Sequence, residues 1–173
     1  NIIYLPGSYF PRDNNRIIGK KKFTRNELKI SENSFVFCNF NNSYKITFEE
    51  FAIWMKLLQQ IENSTLLLLE TNNEMKKNLH AEAKKFKINN DRIVFIKKTN
   101  FEDHLSRHSL ADLFLDTFNY NAHTTAVDAL WTGLPIITKP GKSFSSRVCG
   151  SLLKFFDLDE LILKNKDEYY NKA

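Results

Sequence analysis

Five short stretches of this chain are apolar without alternation: SFVFCNF (34–40), STLLLLE (64–70), DRIVFI (91–96), ADLFLDTF (111–118) and LPIITKP (134–140). A strand with one wet face alternates polar and apolar residues, whereas a strand covered on both faces reads as a continuous apolar run. Between the runs lie segments with helical spacing. After NNSYK (41–45) a helix is expected from Thr47, where Thr47 and Glu50 fit a capping box and Phe51, Trp54, Met55 and Leu58 recur on one face. NNEMKKNLHAEAKKFKI (72–88) reads as a polar-faced helix. NFEDHLSRHSL (100–110) reads as a short one capped by Asn100, and HTTAVDALWTG (123–133) as one stopped by Gly133. SFSSRVCGSLLKFF (143–156) and DEYYNKA (167–173) complete the series. Strands alternating with helices predict an α/β fold: a Rossmann-like parallel sheet with helices on both faces.

Residues 1–32, with Pro6, Gly7 and Pro11, read as an extended lead-in from a preceding lobe, and 33–173 as the Rossmann-like lobe. The chain starts without Met and ends within a helical stretch, as a piece of a longer protein would. With 42% hydrophobic and 26% charged residues it suits a globular domain with a real core. The net charge of +5 fits an anionic small ligand. The one tight basic run, GKKKF (19–23), reads as a solvated loop, and no nucleic-acid-binding motif is present. TLLLLE is too short to span a membrane, and no signal peptide is visible. Cys38 and Cys149 lie in apolar surroundings without metal-ligand spacing, which fits reduced core thiols and a cytoplasmic location.

Ligands of such sheets sit at the carboxyl ends of the strands. Polar residues gather there: Asn41 to Lys45 after the first strand, Lys97 to Thr99 and then His104 and Arg107 after the third, Asn119 to Thr125 after the fourth, and Lys139 to Lys142 after the fifth. The start of the helix at His123, Thr124 and Thr125 offers free N–H groups and a partial positive charge, which suits a phosphate. Equally, Thr124 or Thr125 could simply cap the helix. His123 there is disfavoured as a cation and would act as a neutral hydrogen-bonding group. Asp128, four residues after Thr124, shares that face and could reach a ribose hydroxyl, with Val127, Leu130 and Trp131 forming the buried face. His104 and Arg107 point the same way and suit a nucleobase, or they form a solvated face with Glu102 and Asp103. Lys45 could neutralise a diphosphate, or be a surface lysine. No G-x-G-x-x-G, Walker loop or nucleophile elbow is present, which counts against dinucleotide-dependent dehydrogenases and P-loop ATPases.

Taken in order, FVFCNFNNSYKI, DRIVF, EDHLSRHSLADLFLDTFNYNAHTTAVDALWTGLPIIT and GKSFSSRVCGSLL resemble the O-GlcNAc transferase / SPINDLY family (glycosyltransferase family 41), in the C-terminal lobe of its catalytic region. The resemblance runs from about Tyr4 to the chain end. It implies the C-terminal half of a GT-B glycosyltransferase, in which two Rossmann-like lobes face each other across the nucleotide sugar. By resemblance, Lys45 contacts the donor diphosphate and helps the nucleotide leave, and Asn42 lies by the phosphates. Thr99 lies near a backbone contact to the base, while His104 and Arg107 hold the uracil. His123, Thr124 and Thr125 bind the diphosphate, and Asp128 binds ribose. Lys45 and His123 are thereby the expected catalytic residues.

Phe101 stands where animal members have Lys, which bears on a ribose or phosphate contact. Ala122 stands where they have Gly, which bears on room in the loop. The implied reaction is inverting transfer of GlcNAc from UDP-GlcNAc to protein Ser or Thr, with no metal and no other cofactor. The partners are a nucleotide sugar and a protein acceptor held by the missing lobe and TPR repeats, without which the piece is inactive. Two alternatives remain: a relative using GDP-fucose or UDP-glucose, and a non-catalytic nucleotide-binding or scaffolding module.

Overall fold

The structure is a computed structural model that describes residues 8–10 and 13–173. Pro6, Gly7 and Pro11 of the lead-in, and the resemblance from Tyr4, fall partly or wholly outside these residues. Five parallel strands, β1 (Phe35–Asn39), β2 (Ser64–Leu69), β3 (Ile93–Ile96), β4 (Leu113–Leu115) and β5 (Ile136–Ile137), form one sheet in the order β3-β2-β1-β4-β5. Among the described residues six α-helices are interleaved with them: α1 (Phe48–Gln60), α2 (Asn73–Lys85), α3 (Phe101–Ser106), α4 (Thr124–Trp131), α5 (Val148–Phe155) and α6 (Lys166–Lys172).

Both faces of the sheet are covered. Val36, Cys38 and Phe114 pack with Ala126, Ala129, Val148 and Leu152 of α4 and α5. Phe37, Leu66, Leu68 and Leu115 pack with Phe51, Trp54, Met55 and Leu58 of α1, and with Tyr169 of α6. The continuous apolar strands thus serve two cores at once. The chain leaves β1 for one face and β4 for the other, so the neighbouring carboxyl ends of β1 and β4 are the point where strand order reverses and a crevice opens.

The helix signals hold. Thr47 and Glu50 form the capping box of α1. Asn100 caps α3 by accepting from the Asp103 N–H at 2.8 Å. Gly133 ends α4 with φ 78°, a left-handed conformation that favours glycine. Three details differ from expectation. The β4 ladder stops at Leu115, where the Asn39 side-chain amide takes the Leu115 carbonyl at 2.7 Å. α5 starts at Val148 rather than near Ser143, because the hydroxyls of Ser143 and Ser146 bond locally. On α4, Trp131 is 39% exposed and Val127 and Leu130 are only partly buried, while Ala126 and Ala129 are buried. The β4–α4 crossing is close enough that alanines fill the inner face.

The described part of the lead-in packs on this lobe. Ile30 is buried in the α4–α5 core, with Phe23 and Leu28 against it. Arg25 donates to the Ser34 carbonyl at 2.8 Å and to the Asp112 carboxylate at 2.8 Å. Gly19 donates its N–H to the Glu102 carbonyl at 2.9 Å, and a Cβ there would sit 2.9 Å from that same carbonyl.

Candidate active site

A cavity of about 550 Å³ opens at the carboxyl ends of β1 and β4. Asn42, Lys45, Thr99, His104, Arg107, His123, Thr124 and Thr125 all line it. Of the residues predicted for the site only Asp128 is absent from the wall. It is buried, and its carboxylate takes Arg16 Nη1 at 2.5 Å. The Arg16 guanidinium also lies 4.9 Å from the Trp131 ring centroid and 5.9 Å from that of Phe101. Nothing in the local sequence around Arg16 marks it for this position.

The loop from β4 to α4 is held by two buried carboxylates. Asp116 Oδ1 accepts from the N–H groups of Thr117 (2.8 Å) and Ala122 (2.6 Å), and its Oδ2 from the Thr138 hydroxyl (2.6 Å). Glu50, the α1 capping-box residue, accepts from the Phe118 N–H at 2.7 Å. The Thr117 hydroxyl closes the turn on the Tyr120 carbonyl at 2.7 Å. Ala122 is fully buried in this clamp rather than in the cavity wall.

α4 begins at Thr124 with His123 as its N-cap residue and no side-chain cap. The capping alternative for Thr124 and Thr125 is therefore set aside: Thr125 instead donates its hydroxyl to Asn41 Oδ1 at 2.5 Å. An uncapped helix start leaves its first N–H groups to water or to a ligand. His123 Nε2 lies 3.2 Å from the Ser145 carbonyl, so it is the protonated nitrogen. Burial holds the ring's pKa below its ordinary value, and the nearby Lys45 charge acts in the same direction. The neutral ring spends its one donor on Ser145. Its Nδ1 is an acceptor, which leaves anion binding at this end to the backbone N–H groups.

Lys45 ends a short 3₁₀ turn (Ser43–Lys45) after β1. Its ammonium donates to the Asn121 carbonyl at 3.0 Å and sits 3.9 Å from the Tyr120 ring centroid. Burial lowers its pKa, while the Asp116 charge acts the other way.

His104 and Arg107 are not a solvated face. Arg107 is 4% exposed. It donates through Nη2 (2.6 Å) and Nε (3.0 Å) to His104 Nδ1, and through Nη1 to the Lys97 carbonyl at 2.6 Å. Since a guanidinium only donates, His104 Nδ1 is bare and the ring's proton is on Nε2. Burial and then the Arg107 charge push this histidine down to about 3. Phe40 backs the pair, 5.6 Å from the His104 ring and 5.4 Å from the Arg107 guanidinium carbon. This corner offers a planar neutral ring and a fixed donor, which suits a heteroaromatic base.

Asn41, Tyr44 and Tyr120, which the sequence placed at the strand ends without a role, also line the cavity, as does Phe101. Tyr120 lay inside the quoted stretch before the helix, where an aromatic flanked by Asn is a legible cue. Among the described residues no group of three or more His, Cys, Asp or Glu could hold a metal ion, and no helix is long and apolar enough to cross a membrane. Cys38 and Cys149 are both buried free thiols.

Comparison with known proteins places the chain. It is 36% identical over 150 residues to the UDP-N-acetylglucosamine–peptide N-acetylglucosaminyltransferase of Caenorhabditis elegans, covering 87% of this chain and 13% of that protein. It is 34% identical to the Arabidopsis thaliana protein SEC, covering 99% of this chain and 18% of the relative. Thus it spans less than a fifth of the length of these relatives. Among solved structures, a mutant of Thermobaculum terrenum O-GlcNAc transferase superimposes with a TM-score of 0.77 at 28% identity, covering 80% of this chain and 27% of the other. That likeness bears out the GT-B reading of the fold. Residues 16–173 match the profile of Glycosyl transferase family 41. With that match covering most of its length, the chain belongs to glycosyltransferase family 41.

Proposed function

We propose that this chain is the donor-binding lobe of an inverting, metal-independent protein O-glycosyltransferase that moves GlcNAc from UDP-GlcNAc to Ser or Thr. One observation carries the reading: a cationic lysine, an uncapped helix start and a neutral histidine fixed by an arginine share one cavity of about 550 Å³ at the point where strand order reverses. The His104–Arg107 corner takes the base. The α4 N-terminus and Lys45 take the diphosphate, and Asn42 lies beside it. Thr99 borders the base, and Asp128 would meet a ribose hydroxyl only on release of Arg16, which holds it outside the cavity wall. The relatives' names support UDP-GlcNAc and a peptide acceptor.

In the reaction the acceptor hydroxyl oxygen bonds to the anomeric carbon and releases its proton. The bond from that carbon to the diphosphate breaks, and UDP leaves with the electron pair. The departing oxygens gain negative charge, and a preorganised ammonium and helix N-terminus stabilise charge that develops there. In this role the positive end of α4 and Lys45 stand where a divalent cation stands in other transferases. The facing lobe and preceding helical repeats supply acceptor contacts, so this lobe binds nucleotide without turning over.

Calorimetric titration of the full-length protein with UDP, paired with turnover of labelled UDP-GlcNAc on acceptor peptide, tests the reading. Micromolar UDP binding and EDTA-resistant transfer are expected. A folded protein with no heat at millimolar UDP would refute it. Preference for GDP-fucose or UDP-glucose in the same assay would reassign the donor, and UDP binding without transfer to any acceptor would identify a non-catalytic module.

A further inference from the structure

Tyr120 stands between the two parts of the anion site. Its ring centroid is 3.9 Å from Lys45 Nζ and 4.9 Å from the His123 ring, with Tyr44 a further 6.4 Å neighbour. The ring lines the cavity and is 39% exposed. Its backbone belongs to the clamped loop: Thr117 holds the Tyr120 carbonyl, Asp116 the Ala122 N–H and Glu50 the Phe118 N–H. The ring is thus a wall on a rigid support.

The partners of the Lys45 ammonium are the Asn121 carbonyl and this ring, and neither is a carboxylate. A carboxylate in their place would hold the side chain as firmly but would cancel the charge that an arriving anion needs. An aromatic face attracts a cation through its quadrupole and leaves the formal charge in place. Lysine on its flexible four-carbon stem otherwise samples many rotamers. We propose that Tyr120 is a positioning residue, whose ring face together with the Asn121 carbonyl aims the Lys45 ammonium into the cavity with no carboxylate hydrogen-bonded to it. The proposal rests on the reading of Lys45 as the group that meets the donor diphosphate.

The test is made in the full-length protein with Tyr120→Phe as reference. Tyr120→Leu removes the face, and kcat is expected to fall about ten-fold below the reference with a smaller change in KM. Replacing Tyr120 by mono-, di- and trifluorophenylalanine keeps shape and packing while draining the ring's negative face, so kcat should decline stepwise. That series holds even where Tyr120→Leu unfolds the loop. In a Lys45→Met background both effects should vanish, because the ring then has no cation to aim. A flat fluorination series, or the same fold-loss from Tyr120→Leu in both backgrounds, would overturn the proposal and leave Tyr120 as a direct donor contact or a packing residue. Unchanged turnover in Lys45→Met alone would instead overturn the diphosphate reading, and the Tyr120 role with it.

Discussion

Arg16 and Asp128, 112 residues apart in sequence, form an ion pair in which both side chains are only 6% exposed. The pair fastens the lead-in to α4 behind the cavity. Removing one member of a buried pair strands the other, at about 3–5 kcal/mol. Asp128→Asn should therefore lower unfolding free energy in denaturant titrations by that order. Joint replacement with Arg16→Met and Asp128→Leu should recover much of the loss. If Asp128 also meets ribose, the double variant will regain stability without regaining UDP affinity.

Asp116 gives a pH signature. Burial pushes its carboxyl up from 3.8 to about 7, although Thr138, Ala122, Thr117 and Cys149 all donate to it and pull the other way. An acid with a raised folded-state pKa contributes stability that is complete below its unfolded value and lost as pH rises through the folded one. From this group the melting temperature should fall as pH climbs from about 4 to about 7 and level off above. Asp116→Asn should flatten that limb of the curve while lowering stability at every pH, since an amide cannot serve all the donors.

The Arg107–His104 pair predicts the opposite, an absence of titration. His104, pushed down to about 3, stays neutral near physiological pH. Its contribution to UDP affinity should be constant between about pH 5 and 8. Arg107→Lys cannot donate along two bonds to Nδ1 while holding the Lys97 carbonyl, and it releases the tautomer. UDP binding should weaken about ten-fold, as loss of a charged hydrogen bond entails. Histidine ¹⁵N spectra should show the His104 Nδ1 resonance leaving its bare-nitrogen position in the variant only.

Gly141 tests the support of His123. A Cβ at this position would lie 2.5 Å from Ser146 Oγ and 2.8 Å from Ser146 Cβ. Gly141→Ala must displace the turn whose Ser145 carbonyl receives the Asn121 N–H at 2.9 Å and His123 Nε2 at 3.2 Å. Overpacking of this kind costs about 1–3 kcal/mol. The transfer rate should drop alongside a modest fall in melting temperature, and Ser146→Ala in the same chain should return part of both.

The sheet was legible because its strands are buried on both faces, which leaves a continuous apolar run as the local imprint. Lys45, His104, Arg107 and the His123–Thr125 start were legible as strand-end residues, and they do line the cavity, whereas their separate roles came only from the resemblance. Arg16 was not: its partner is far along the chain and its own segment has no period. Asp116 read as part of a strand, and only the folded chain brings the Thr138 hydroxyl and the Ala122 N–H to it. Trp131 read as core from its helical spacing, but the buried face of α4 belongs to Ala126 and Ala129, and the indole turns outward to the arginine. Periodicity reports which side of a helix faces inward, and it errs when close crossing selects small residues for that side.

The cavity walls come from residues beside 40–45 and 120–125, joined only because β1 and β4 are neighbours in the sheet. Neither the N-terminal nor the C-terminal half of the chain contains both walls, so a lobe folded in one half alone lacks the cavity. A ligand that recognises the finished fold alone stabilises it by mass action, by about 2.7 kcal/mol at a hundred times its dissociation constant. On the proposed function, supply of the nucleotide would set how long the lobe survives proteolysis, coupling the protein's lifetime to the abundance of its ligand.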